Sequence, residues 1–265
     1  MRCTKALALI ALLSLWAQPA EAALAITCTE QPFLTGTSHN TTMPATVNSG
    51  DLLFISIAIY GGNQSASSTA ASGWVELDEI NDSNRIKLAH YYKWADGTED
   101  GVTVNIATTG SFQAFASVCR ITGALSSTNP EMGTAATSAG VPSTAPNPPT
   151  VTASWGAESN LFLATYALQN GAAGASSGPT NYNVESTDWS GNVSNAAAGG
   201  LASRALASAT DDPGAFTTSS EDWIAQTIVI RPAAGAGASP CLGMLLGVGC
   251  DALIADTGLL DRRHR

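Results

Sequence analysis

The sequence predicts an all-β chain: two tandem immunoglobulin-like or jelly-roll-like β-sandwich modules, with a signal peptide before them and a short C-terminal tail after. Three observations carry this. Thr108-Thr109-Gly110-Ser111 and the apolar run Ala114 to Ala124 are answered about 109 residues later by Thr217-Thr218-Ser219-Ser220 and Trp223 to Ala233. Leu53-Phe54-Ile55 is likewise echoed by Leu161-Phe162-Leu163. A repeat of that length is one small β-domain. The second observation is the cleanest two-residue alternation in the chain, from Arg85 to Trp94, with Ile86, Leu88, His90, Tyr92 and Trp94 on one face. The third is composition. Only 12% of residues are charged, small residues fill the gap, and little between Ile26 and Arg231 repeats at a helical period.

The elements follow in order. Arg2 and Lys5 precede an apolar run, Ala6 to Trp16, and Ala20-Glu21-Ala22 supplies a small-residue cleavage pattern, so residues 1–22 read as a secretory signal peptide. The run is too short for a membrane span, which needs about 20 apolar residues. The first module, 23–124, contains weak strands near Ile26 to Leu34 and Thr41 to Val47. After the Ser49-Gly50-Asp51 turn comes a half-buried strand on Leu53, Ile55, Ile57 and Ile59. Gly73 to Leu77, Arg85 to Trp94, Val102 to Ile106 and Phe112 to Ile121 bring the count to about seven, as a sandwich requires.

Thr122 to Pro130 links this module to the second, 125–234, whose strands are Asn160 to Leu168, Asn181 to Thr187, Leu201 to Ser208 and Trp223 to Arg231. Gly171 to Gly178 and Ser190 to Gly200 read as exposed loops. Residues 235–265 form a flexible Gly/Ala linker and a Cys-containing apolar tail that ends in Asp261-Arg262-Arg263-His264-Arg265. The basic cap has the layout of a membrane-sorting tail. Asp251 and Asp256 oppose spanning, because each costs about 2.5–3.5 kcal/mol at the bilayer centre.

Without the leader, four cysteines remain: Cys28, Cys119, Cys241 and Cys250. An even number in an exported chain permits two disulfides in three connectivities, of which Cys28 with Cys119 and Cys241 with Cys250 is the simplest. No Cys/His cluster has zinc-ligand spacing. The net charge is −10 and no basic patch exists, which excludes nucleic acid as a partner.

Catalytic patterns are sparse. The histidines are His39, His90 and His264, and neither G-x-S-x-G nor H-E-x-x-H occurs. His90, on an apolar strand face, reads as a core histidine. Glu76, Asp78 and Glu79, with Glu185 and Asp188 beside Trp189, are the candidate carboxylates for glycoside hydrolysis. The acidic turns Asp96 to Asp100 and Asp211-Asp212 have oxygen ligands suited to Ca²⁺, but neither matches a calcium-loop pattern, and no cofactor is expected. Trp94 and Trp223 fall on strands and read as core. Trp155 and Trp189 lie near loops and are the candidate sugar-stacking residues.

Turn and strand signatures carry one resemblance. Ser49-Gly50-Asp51-Leu52-Leu53, Ser72-Gly73-Trp74, Tyr91 to Glu99 and Arg120-Ile121-Thr122-Gly123 in the first half, and Ser154-Trp155-Gly156-Ala157, Pro179 to Tyr182 and Asp212 to Thr217 in the second, resemble an uncharacterised tandem β-sandwich family of tailed-phage structural genes and environmental bacteria. The resemblance implies a fold and a virion association, with no catalytic residues to transfer. Two classes of function follow. One is a non-enzymatic exported surface or virion-associated protein that is adhesive, glycan-binding or protein-binding. The other is a secreted carboxylate-dependent carbohydrate-active enzyme.

Overall fold

Alternating apolar runs bounded by turn residues become antiparallel strands in the computed structural model, which describes residues 23–61, 68–82, 85–169, 175–189 and 196–234. The expected signal peptide, the linker and tail, and Cys241 and Cys250 lie outside the described residues. The first half supplies β1 (Ala25–Thr42), β2 (Leu52–Tyr60), β3 (Ser68–Ala70), β4 (Val75–Asp82), β5 (Ile86–Trp94) and β6 (Thr103–Thr122). The second supplies β7 (Glu131–Met132), β8 (Ala136–Thr137), β9 (Val151–Thr152), β10 (Glu158–Gln169), β11 (Asn183–Trp189), β12 (Ala197–Ser208), β13 (Thr210–Asp211) and β14 (Trp223–Ile230). Two pairs of expected strands are each one long strand, β1 and β6, because their bulged ladder continues through the expected breaks.

Each half builds one main sheet. The first is ordered β1-β6-β2-β5-β4, and the second β11-β12-β10-β14-β7. These are the same sheet read from opposite ends: β2 and β10 are central, flanked by the pairs β6/β14 and β5/β12, with β4 and β11 beyond. The sheets stack with β1 over β11, β6 over β12 and β2 over β10, the antiparallel overlay that a two-fold relation between the halves produces. Even the irregularities repeat. A bulge at Leu77 lies between the pairs Glu76↔Tyr91 and Asp78↔His90, and one at Glu185 lies between Val184↔Ala202 and Ser186↔Leu201.

The ladders fix which residues correspond. Leu52 pairs with Ile121 and Trp94, and Leu161 pairs with Ile230 and Ala205. Leu52 therefore corresponds to Leu161. The echo that matches Leu53 with Leu161 is one residue out of step, and one residue moves every side chain to the other face.

The expectation of a complete sandwich in each half changes accordingly. Leu52, Phe54, Cys119 and Ile121 from the first half share one apolar cluster with Leu161, Leu163, Leu201, Ile228 and Ile230 from the second. The outer face of each main sheet is covered from within its own half. Leu53, Ile55 and Ile57 pack under Met43, Val47, Val104 and Ile106, while Phe162 and Val229 pack under Val151 and Ala153. Strand β2, expected to be half-buried, is thus buried on both faces except at Tyr60. At about 25 cal/mol per Å² of apolar surface, this shared layer is a main source of stability.

Ala197 to Gly200, expected in a loop, begin β12 and are buried. Small residues are required there because the sheets approach closely. A Cβ on Gly199 would lie 3.0 Å from Ala58 Cβ and 3.1 Å from Phe115, and one on Gly200 would lie 2.6 Å from the Ser186 carbonyl oxygen.

Candidate functional site

The β1–β6 ladder is regular except at one place, and a cavity forms there. Registers shift between Gln31 and Leu34, and again between Gly36 and Ser38, where Gly36 still pairs with Phe112 but Ser38 pairs with Ala107. Residues 108–111 of β6 therefore bulge out of the ladder. Just beyond, Thr35, Gln113 and Tyr60 form one cross-strand row, since Gln113 pairs with both of the others. The row continues the inner face of the first sheet past the last apolar cluster shared with the second, against which Tyr60 partly packs. These three residues, Ser111, Phe112 and two glycines line a cavity of about 380 Å³.

The rim is held by a chain of short-range interactions. His39 Nε2 lies 3.2 Å from Thr108 Oγ1, and Thr108 donates to the Gly110 carbonyl at 2.8 Å. The Phe112 ring lies on Gly110, so that an added Cβ would come within 2.3 Å of it. Because Thr108 spends its proton on Gly110, it accepts from His39 Nε2, which leaves Nδ1 as a buried acceptor without a partner. Burial holds the His39 pKa below its ordinary value. Two residues before Thr35, Phe33 is 63% exposed with φ at 61°. A bulky residue in that left-handed region costs on the order of 1–3 kcal/mol.

A second polar centre lies between the sheets. His90 Nδ1 is 3.0 Å from Asp78 Oδ1, and Nε2 is 3.1 Å from Thr165 Oγ1. Gln226 Nε2 donates to Asp78 Oδ2 at 2.7 Å. The geometry has the outline of an acid–histidine–hydroxyl triad, and Thr165 Oγ1 also lies 3.2 Å from the Gln226 main-chain carbonyl oxygen, which competes with the ring for its single proton. Both His90 and Thr165 are fully buried, and Phe54 stacks on the imidazole at 5.7 Å. The core reading of His90 stands.

This centre has a counterpart across the two-fold relation. Asp78 corresponds to Ser186 and Gln226 to Ser117, and the hydroxyls of Ser117 and Ser186 are 2.5 Å apart. The inter-sheet hydrogen bond is therefore made twice, once by Gln226 and Asp78 and once by two serines. Only the histidine is unmatched, with Leu201 in its place.

The residues expected from sequence fall elsewhere. Trp155 donates its indole N–H to Asn160 at 2.8 Å, and Arg231 lies over the ring at 5.9 Å. Trp189 ends β11 opposite Ala198, and its side chain lies outside the described residues. Cys28 and Cys119 are directly opposed in the β1–β6 ladder and joined at 2.01 Å, as the simplest connectivity requires. Trp223 is core, with its N–H on Ser143 at 2.7 Å, and Trp94 packs against the shared cluster.

The acidic turns serve their own backbone. Glu99 accepts from Gly97 and Thr98 amides at 3.0 and 3.1 Å and from Lys93 at 2.7 Å, and Asp211 accepts from Tyr182 at 2.6 Å. Among the described residues, no three His, Cys, Asp or Glu side chains converge as a metal set.

No protein-family model matches this chain, and neither a curated protein nor a solved structure matches it.

The candidate carboxylates lie on opposite edges. Glu76, Asp78 and Glu79 belong to β4, whereas Glu185 and Asp188 belong to β11, under β1. Four strand spacings of about 4.8 Å, roughly 19 Å, separate those edges. Glu79 is ion-paired with Lys87, and Glu185 accepts from Ser203 at 2.5 Å. The Glu76 carboxyl is held above its ordinary range, first by partial desolvation and then by Glu79, with Lys87 opposing. The cavity row was missed from sequence because its members are 25 and 53 residues apart and meet only through strand register.

Proposed function

We propose that the chain is a non-enzymatic, exported surface or virion-associated interaction protein that binds a glycan or a protein surface. The observation that carries this reading is that the candidate carboxylates of the two halves do not meet in one cleft, while within β4 Asp78 is held by His90 and Gln226 and Glu79 by Lys87. Glycoside hydrolysis needs two acids roughly 5–10 Å apart. Here the acids of the two halves stand on opposite edges of the stacked sheets. Among the described residues, the cavity at Thr35, Tyr60 and Gln113 is lined without any charged side chain, which suits recognition better than acid–base chemistry.

Export rests on the leader-like residues 1–22, and the Cys28–Cys119 bond is compatible with an oxidising compartment. In this reading the two halves are tandem copies of one β-module, fused through the inner faces of their main sheets. The matched strand order and matched bulges support that origin. The resemblance to phage structural genes makes the virion surface one location for such a module.

Incubation of the full chain with a polysaccharide panel tests the non-enzymatic reading, with reducing ends measured over a day. No release is expected. Turnover that is lost in Glu76→Gln or Glu185→Gln would establish the carbohydrate-active alternative.

A further inference from the structure

We infer that the cavity at Thr35, Tyr60, Ser111, Phe112 and Gln113 is a binding site for a neutral saccharide, an assignment that rests on the interaction reading above. Its volume of about 380 Å³ lies at the small end of ligand sites. The lining is what selects the ligand class. Two hydroxyl side chains, a carboxamide and a phenol supply donors and acceptors, and the rings of Tyr60 and Phe112 supply apolar faces. A sugar ring has the complementary surface, with hydroxyls at its edge and C–H groups on its faces.

Charge narrows the class further. Among the described residues no lysine, arginine, histidine or carboxylate lines the cavity, so they offer nothing to pair with a phosphate, sulfate or ammonium group. The chain as a whole is acidic, with a net charge of −10, which disfavours anionic sugars at long range.

The local backbone is shaped for this cavity. Two register shifts in a single ladder bring Thr35 and Gly36 opposite Phe112 and Gln113, while the excursion 108–111 raises Ser111. Bulges commonly re-aim side chains next to functional sites. Gly110 leaves the room that the tip of the Phe112 ring occupies, so Gly110 is a positioning residue for that ring.

The test uses the full chain and a panel of maltotriose, mannotriose, galactotriose and chitotriose, with sialylated and sulfated trisaccharides alongside. Binding is read by calorimetry and by saturation-transfer NMR. At least one neutral trisaccharide is expected to bind, and none of the charged ones. Thr35→Lys, on an exposed position, and Tyr60→Ala should each weaken binding about tenfold or more. The melting temperature of Thr35→Lys should be unchanged, which separates loss of the site from loss of the fold. Binding that survives both variants overturns this site assignment but leaves the interaction reading intact. Failure of every neutral sugar, or preference for the charged ones, overturns the saccharide assignment. A protein partner bound by the same chain would then still uphold the broader reading.

Discussion

Replacing Cys28 and Cys119 together by alanine frees β1, an edge strand of the first sheet, from the only covalent link in its ladder among the described residues. The two cysteines are separated by 91 residues. Closing a loop of that size removes unfolded-state entropy worth about 4.6 kcal/mol at 25 °C, and measured bridges typically deliver about 2–4 kcal/mol. For a domain of this size each kcal/mol moves the melting temperature by about 2–4 °C, so a fall of roughly 5–15 °C is expected. Native packing should otherwise persist, because β1 is hydrogen-bonded to β6 along nearly its whole length. The assay is thermal unfolding by circular dichroism of the wild type, the double variant and the wild type under reductant, with oxidation state checked by mass spectrometry. The reduced wild type should melt close to the double variant. A shift below about 2 °C in both would refute the loop-entropy argument.

Gly200→Ala should destabilise the fold by about 1–3 kcal/mol, because its Cβ would collide with the Ser186 carbonyl, a backbone atom that cannot step aside. Chemical denaturation reads this out, and a stabilised protein would show that β11 can shift. His90→Leu leaves Thr165 and one Asp78 oxygen without the imidazole and should cost about 1–3 kcal/mol. Adding Asp78→Ser recreates the Leu201/Ser186 arrangement of the second half, so the double variant should lose less than the sum of the two single changes. Strict additivity would refute the two-fold correspondence. His39 is buried with its pKa held below 6.5, so the folded state favours the neutral ring. Its contribution is complete above the unfolded value and is lost as pH falls below about 6.5, where the unfolded chain binds the proton first. Melting temperatures between pH 4.5 and 7.5 should therefore fall less steeply in His39→Gln; parallel curves would remove the histidine from the account.

How far the fold was legible depended on alternation. In strand β5 the faces are legible, because Lys87 and Lys93 fall on the face opposite Ile86, Leu88, Tyr92 and Trp94. Strand β2 offered no such interruption. Apolar on both faces, it fits its repeat equally well at two offsets, and identity at Leu-Phe favoured the wrong one. The loop position of Trp155 is legible in the sequence, but its partners Asn160 and Arg231 come from β10 and from just after β14 and meet it only in the fold.

By itself the sequence determined that the chain is all-β and where most strands run, because those properties depend on local alternation and turn chemistry. Only the tertiary structure decided that the halves join through a shared inner layer, that the inter-sheet hydrogen bond is made twice, and that Thr35, Gln113 and Tyr60 stand in one row. The physical reason is register. Hydrogen-bonded pairing across distant strands chooses which face each side chain takes, and a residue buried on either face leaves no local mark of that choice.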